Sequence, residues 1–468
     1  MSQKRFVALL LLLGDVAALY TALGITLLIR YGTDVANPWE IHKLPFTIVF
    51  TLWLFIFYTA GLYDQNAWNA DRSVKERILR SIIAAGITAV ILFYFVPAFV
   101  ITPKTNLFIQ IFISIIFIGA WRIFASILIR NTFKKNILFF GISQEGIHLA
   151  NVLADNPHLG YCVAAVVQPN ENISPTSSFP TIPVDQNILR FITEKNISLV
   201  IASRDIRSER EFVRMLYNVL PLGIRIMDFP TFYEMITGKI PVSLISEVWF
   251  LENLIGSRKW VYETEKRLFD IFLAIIIGGA TLILSPFILV GIILSTPREV
   301  LNSSKHRARP GDGIIFFRQK RVGKNGRIFN FIKFRSQRLG SERMSQAKEI
   351  ENDPRQFLFG KFLRAFYLDE LPQVWNVLTG DMSFIGPRPE RPTYVAELAK
   401  TVPFYEIRLL VPPGITGWAQ INMKNDASVE DAPKKMQYDL YYIKNRSFAL
   451  DLNIALKTFW VMLSREGR

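Results

Sequence analysis

A chain of 468 residues is too long for one ordinary hydrophobic core, so two or three folding units are expected. Half of its residues are apolar, the formal net charge is +15 and Cys162 is the single cysteine, which excludes internal disulfides; with only four His, a zinc site is disfavoured as well. The basic excess is concentrated in 298–364, beside apolar segments and without a nucleic-acid-binding motif, so phosphorylated substrates and anionic lipid are the expected partners and nucleic acid is not.

Residues 1–130 read as four transmembrane helices. The stretches 6–29, 44–63, 81–103 and 106–129 each supply the roughly 20 apolar residues that a bilayer crossing needs. The start is not a cleavable signal, because the apolar run after Lys4 and Arg5 is longer than a signal's and lacks a small-residue cleavage site. Asp15 in the first stretch and Arg122 in the fourth are explained more simply by helix pairing or snorkelling than by function. Lys4 and Arg5, then Arg72, Lys75, Arg77 and Arg80, then Arg130, Lys134 and Lys135 mark one side. The positive-inside rule therefore makes the N-terminus, the middle loop and everything after residue 130 cytoplasmic.

Residues 131–255 read as a Rossmann-like α/β domain. Short β-rich runs at 136–140, 162–167, 199–203 and 224–229 alternate with segments of helical length. The first run feeds a glycine turn from Gly141 to Gly146. Ser143 stands where a dinucleotide fingerprint has its middle glycine, and Gln168 stands where an acidic residue is expected. A structural or regulatory role is therefore favoured over nucleotide binding, and 170–186 is expected to be loop.

Residues 256–468 begin with a fifth apolar run, 269–294. An ordinary spanning helix is one reading. Ser285-Pro286 in its middle and basic residues at both ends (Lys266 and Arg267, then Arg298, Lys305 and Arg307) favour a re-entrant membrane helix over about 267–296, kinked at Ser285 and Pro286. A mainly helical domain follows. It opens with a small β-hairpin, runs 314–320 and 327–335, about Asn325-Gly326. Asp353-Pro354-Arg355 and a helical stretch ending at Arg364 come next.

The segment 368–373, Leu-Asp-Glu-Leu-Pro-Gln, carries the chemistry. Asp369 is expected to cap a helix whose first turn holds Pro372, and there the helix dipole keeps its carboxylate ionised and favours a bound phosphate. An ionised Asp beside a phosphoryl group can act as a covalent nucleophile, and Asp369 with Glu370 can hold Mg²⁺. A capping Asp and an exposed Glu are the plainer alternative. Around them stand Lys333, Arg335, Arg364 and Arg388, a supply of cations suited to a diphosphate, and two stiff loops at 386–389 and 412–417. Taken alone, these residues describe a membrane-apposed phosphoryl-transfer candidate.

From about Lys266 to Arg468 the chain resembles the monotopic polyprenyl-phosphate sugar-1-phosphate transferases (phosphoglycosyl transferases) of bacterial polysaccharide pathways. The resemblance rests on 266–270, Ser285-Pro286, 317–326, 333–335, 368–373, 380–383, 386–389, 413–420 and 438–442. The front half is similar to the large-membrane subclass. The resemblance implies a multi-pass protein of the bacterial inner membrane that takes a UDP-sugar and undecaprenyl phosphate, requires Mg²⁺ and releases UMP. It implies Asp369 as nucleophile with Glu370 completing the dyad, and Lys333, Arg335, Arg364, Arg388 and Asp439 about the substrate. Hexose-1-phosphate is favoured, on Glu390-Arg391-Pro392, and homo-oligomerisation is left open. Ser336-Gln337, Phe366-Tyr367 and 422–425 depart from the family pattern, and 301–312 resembles an insertion. The helix expected at 451–464 is amphipathic and suits either the bilayer surface or the protein's own core. Two alternatives are a membrane-bound nucleotide-sugar dehydratase, for which Tyr262 and Lys266 have the required spacing without the fingerprint, and a non-catalytic assembly scaffold.

Overall fold

The computed structural model describes residues 3–64, 72–95, 104–132, 134–141, 143–168, 179–183, 188–202, 217, 219–245, 247–254, 260–296, 313–339, 355–423 and 431–464. They form two compact units, Met1–Ile236 and Thr237–Arg468.

In the first unit four helices come first: α1 (Gln3–Tyr31), α2 (Ala36–Thr59), α3 (Arg72–Phe95) and α4 (Lys104–Thr132). α1 packs along α4, and α2 packs on α1 and α3. The charges within the first and fourth apolar stretches, Asp15 and Arg122, are partners. Arg122 Nη2 donates to Asp15 Oδ2 at 2.5 Å, Arg122 Nη1 to the Leu62 carbonyl at 2.6 Å, and the Tyr63 hydroxyl to Asp15 Oδ2 at 2.9 Å. Buried charges need this degree of satisfaction to offset their desolvation. α2 starts eight residues before the expected 44, with Pro45 inside it, because polar 36–43 is compatible with helix although hydropathy does not register it. The third expected span is described as far as Phe95, and 96–103 lies outside the described residues. Among the described residues, four helices are long and apolar enough to cross a membrane: Phe6–Tyr31, Ala36–Thr59, Thr105–Ile129 and Trp260–Leu294.

The rest of this unit is a five-stranded parallel sheet, β1 (Lys135–Phe140), β2 (Tyr161–Gln168), β3 (Thr181–Pro183), β4 (Ile197–Ala202) and β5 (Arg225–Asp228), in the order β3-β2-β1-β4-β5. Its strands are near-continuous apolar runs, as a sheet covered on both faces requires, with Leu138, Phe140, Val167 and Val200 in the core. β3 lies in the segment expected to be loop. It is a three-residue edge strand ending in Pro183, a position where the missing amide costs no ladder bond. Ser143 caps the helix Gln144–Asp155, its hydroxyl accepting from the Gly146 amide at 3.2 Å. The side chain that replaces the middle glycine thus serves the first turn of its own helix.

The second unit begins at Thr237, earlier than the expected 256, because 240–250 packs into it. Ile240, Trp249 and Phe250 are buried with Leu398, Val402, Tyr405, Met436 and Leu440. The apolar run expected as a re-entrant helix kinked at Ser285 and Pro286 is one helix, Trp260–Leu294, with Pro286 inside it. Both of its ends engage the same body. At the start, Lys266 Nζ donates to Asp451 at 2.8 Å, Asp270 accepts from Ser383 Oγ and the Phe384 amide at 3.1 Å each, and Arg267 donates to the Val377 and Leu378 carbonyls. At the far end, Ile288 and Ile292 pack with Phe334, Phe357 and Leu363. Between them Leu282, Ile283 and Phe287 are more than 70% exposed, at 75%, 72% and 74%.

Strands β6 (Phe316–Val322) and β7 (Ile328–Phe334) form the expected antiparallel hairpin. Asn325 (φ 55°) and Gly326 (φ 78°) supply the two positive φ angles of its turn. β8 (Ser383–Ile385) pairs in parallel with β9 (Gly414–Thr416). The C-terminal helix, Phe448–Ser464, divides the two readings between its faces. Asp451, Ile454 and Trp460 are buried, whereas Leu452, Phe459 and Met462 point outward. Tyr262 and Lys266, the spaced pair a dehydratase would use, both donate to Asp451 Oδ2 at 2.8 Å.

Candidate active site

The dyad sits where the end of β7 meets a short turn. Alternation along β7 buries Phe329 and Phe331 and sends Lys333 to the same side. Lys333 Nζ lies 5.2 Å from the Phe331 ring centroid and donates to Glu370 Oε1 at 2.5 Å. Each side chain of this pair is 18% exposed. Three residues on, the Ser336 hydroxyl lies 3.4 Å from Asp369 Oδ2. Asp369 itself is 4% exposed.

Asp369 is not a helix cap, contrary to expectation. It lies inside the 3₁₀ turn Leu368–Glu370, and Pro372 caps the helix Gln373–Thr379 without a side-chain bond. Leu371 and Pro372 already have right-handed helical angles, so the turn winds straight into the helix and its carboxylates lie one turn ahead of the first helical residue. The entry to the turn is Tyr367, at φ 56°. A non-glycine residue in the left-handed region costs roughly 1–3 kcal/mol and tends to mark functional sites.

Two contacts hold this turn against the hairpin. In the helix Leu358–Ala365 a Cβ on Gly360 would meet the Ser336 carbonyl oxygen at 2.0 Å, so only glycine lets that helix lie directly on the chain beside Asp369. On the other side, Asn376 Oδ1 accepts from the Ile332 amide at 3.3 Å and its Nδ2 donates to the Asn330 carbonyl at 2.8 Å. That amide pair fastens the helix Gln373–Thr379 to β7.

The other expected site residues fall elsewhere. Arg335 is buried, donates to the carbonyls of Ile314 (2.6 Å) and Gln337 (3.3 Å) and to the Thr296 hydroxyl, and lies 4.9 Å from the Phe357 ring centroid. This guanidinium ties the hairpin to the residues that follow the helix Trp260–Leu294. Arg364 is half-buried in the last turn of its helix, where its carbonyl accepts from the Tyr367 amide at 3.2 Å. Arg388 and Asp439 belong to a second cluster centred on Arg408. Arg408 Nη2 pairs with Asp439 Oδ2 at 3.0 Å and donates to the Arg388 carbonyl at 3.0 Å, and Nη1 donates to the Tyr405 hydroxyl.

Glu390 completes the cluster, meeting Lys435 at 2.9 Å and Arg321 at 3.5 Å, while Arg321 also donates to the Pro389 carbonyl at 2.8 Å. Burial alone would push the Glu390 carboxyl up. Lys435, Arg408 and Arg321 outweigh it and hold the group at about 2. Burial works against the Arg408 charge too, and Asp439, Tyr405 and Glu390 overcome it, so its affinity for the proton rises. The effect is a stiff 386–390 loop held on the outside by buried ion pairs.

The structure therefore brings Asp369, Glu370 and Lys333 together, sets Asp439 beneath the Arg388 loop through Arg408, and gives Arg335 to the scaffold. Sequence reasoning did not single out Ser336 as a partner of Asp369, nor Gly360 or Arg408. Ser336 had a signal, as a departure from the family pattern three residues after Lys333. Arg408 had none, since its partners come from distant segments.

The family described as bacterial sugar transferase matches residues 261–465. Over 259 residues the chain is 36% identical to the UDP-N-acetylgalactosamine-undecaprenyl-phosphate N-acetylgalactosaminephosphotransferase of Aeromonas hydrophila, covering 55% of this chain and 56% of that one. It is 30% identical over 331 residues to the UDP-glucose:undecaprenyl-phosphate glucose-1-phosphate transferase of Klebsiella pneumoniae, covering 69% of this chain and 67% of that one. The protein of the same description from Xanthomonas campestris pv. campestris is 28% identical over 335 residues, 69% and 66% of the two chains. The chain thus spans between about half and two thirds of the length of these relatives. Alignment across the dyad, the hairpin and much of the region in front of them leaves one conclusion: the chain belongs to the bacterial sugar transferase family.

Proposed function

We propose that the protein transfers a sugar-1-phosphate from a UDP-sugar to undecaprenyl phosphate at the cytoplasmic face of a bacterial inner membrane, with release of UMP. The observation that carries this reading is the pairing of a buried Asp369 with an adjacent Glu370 held by Lys333. It sets a nucleophile, a second carboxylate and a cation within one turn of chain. An Asp369 oxygen attacks the phosphorus next to the sugar. The new O–P bond forms as the bridging bond to UMP breaks, and the electron pair leaves with UMP. An oxygen of undecaprenyl phosphate then attacks the same phosphorus and the Asp369 carboxylate departs, so the enzyme is regenerated.

Lys333 orients Glu370 and adds positive charge beside the diphosphate. Among the described residues no three His, Cys, Asp or Glu converge on a metal site. Mg²⁺ needs fewer protein ligands, since it binds through one or two carboxylates with phosphate and water completing its shell, and Asp369 and Glu370 fit that donor set. Bound there, it would neutralise charge on the diphosphate. Arg364 and Arg388 are proposed as further nucleotide or phosphate contacts, with Arg388 presented by the ion-paired loop.

The helix Trp260–Leu294 is proposed to enter the membrane and return. Its two ends engage one body, its middle is exposed and apolar, and Pro286 removes an amide donor between them. The relatives' names specify glucose and N-acetylgalactosamine, so the donor is proposed to be a hexose or an N-acetylated hexosamine. The test is nucleotide release by purified protein with Mg²⁺ and undecaprenyl phosphate, from UDP-glucose, UDP-galactose and UDP-N-acetylgalactosamine. UMP is expected from at least one donor. UDP release would replace the reading with direct glycosyl transfer.

A further inference from the structure

Two buried amides lie one turn apart on the helix Gln373–Thr379, and only one has work in the fold. Asn376 satisfies both ends of its amide on β7. Gln373 is 1% exposed, and its Nε2 meets no hydrogen-bond partner among the described residues. Native folds rarely leave a buried donor in this condition, and such a group calls for a partner from outside the protein, a water or a ligand oxygen. Asn376 already pins the helix, so Gln373 is not needed to hold it.

Its position says what the task is. The backbone winds without interruption from the 3₁₀ turn through Leu371 (φ −51°, ψ −39°) and Pro372 (φ −62°, ψ −15°) into the helix. Residues four apart on such a path share a face, with Cβ atoms roughly 5–6 Å apart. Asp369 is buried in the turn, and Gln373, Val374, Asn376 and Val377 are buried on the helix, with Gln373 four residues after Asp369. The unpartnered amide is therefore the neighbour of Asp369 on the next turn. When an Asp369 oxygen bonds to phosphorus, the non-bridging phosphoryl oxygens come within a few ångströms of the same face and carry the charge of the transition state. A fixed, desolvated N–H donor is worth most at such a place.

We propose that Gln373 donates a hydrogen bond to a non-bridging oxygen of the phosphoryl group carried by Asp369, as a substrate-contacting residue of the transfer reaction. This rests on the function proposed above. The alternative is a glutamine that only fills space, and the two differ in what an apolar side chain of similar length does. Gln373→Met removes the donor and keeps the volume.

The experiment compares wild type, Gln373→Met and Asp369→Asn as full-length protein in the same lipid or detergent, measuring Tm and UMP release from UDP-glucose, UDP-galactose and UDP-N-acetylgalactosamine. Gln373→Met is expected to keep or raise Tm, because an unsatisfied polar group is gone, while kcat falls about a hundred- to a thousandfold with KM for the donor little changed. An unchanged kcat overturns the proposal. So does a lowered Tm or failure to fold, which would make the amide a packing element. Turnover surviving in Asp369→Asn would instead overturn the function on which the inference rests, whatever Gln373→Met does.

Discussion

Two charged clusters in the second unit use the same kinds of residue and differ in how tightly they are closed. In the Arg408 cluster the paired side chains of Arg408 and Asp439 are 4% and 2% exposed, and the guanidinium also serves a phenol and a carbonyl. At the dyad, Lys333 and Glu370 remain 18% exposed, next to a buried Asp369. A closed network spends its charge on holding the 386–390 loop, whereas an open one keeps charge available to a ligand. Charge alone therefore does not mark an active site; charge with access does.

Substitutions in the two clusters should have opposite consequences. Asp369→Asn should lower turnover by at least about a thousandfold, as loss of a nucleophile does, while Tm stays close to wild type. Arg408→Met should do the reverse. It leaves Asp439 and Glu390 buried with one cation fewer, a change that typically costs about 3–5 kcal/mol, and so should lower Tm by many degrees. Pairing it with Asp439→Leu should recover part of that loss, because the stranded charge is removed along with its partner. If the double variant is as unstable as the sum of the singles, the cluster is not the closed unit described here.

Gly360→Ala probes the joint behind the dyad. Its Cβ would have to displace the Ser336 carbonyl, an overpacking cost of roughly 1–3 kcal/mol, and Ser336 would carry the disturbance to Asp369. Both Tm and turnover should fall. Glu370→Gln loses only a half-open ion pair, so its stability should move by about 1 kcal/mol or less while turnover drops.

The smallest effect is in acid. Glu390 is held at about 2 against an ordinary 4.5, so its contribution to stability is complete above about pH 4.5 and is lost as pH falls towards 2. Glu390→Gln should flatten the pH dependence of unfolding in that window, and an unaltered acid limb would show that the carboxylate is not held as described.

The sequence carried what depends on neighbours along the chain. The hairpin was legible from Asn325-Gly326, the sheet from its apolar runs, and the dyad from its motif. It did not carry what depends on partners from afar. Arg335, Arg364 and Arg388 looked alike as cations, and only the fold separates the first, tied to carbonyls and Thr296, from the others. Asp369 read as a cap because the rule for Asp before Pro is local; the turn starts two residues earlier, at a left-handed Tyr367, and the departure of Phe366-Tyr367 from the family pattern does not by itself specify that backbone angle. Ile240, Trp249 and Phe250 looked like the tail of the α/β domain until their burial against Leu398 and Met436 assigned them to the catalytic unit.

If Asp369 carries the sugar phosphate, intact-protein mass spectrometry after brief exposure to a UDP-sugar and Mg²⁺, with undecaprenyl phosphate withheld, should catch it there. The expected result is a mass increase of one sugar phosphate located on Asp369, accompanied by UMP, and discharged when undecaprenyl phosphate is added. UMP release only when both substrates are present, with no adduct at any time, would contradict it.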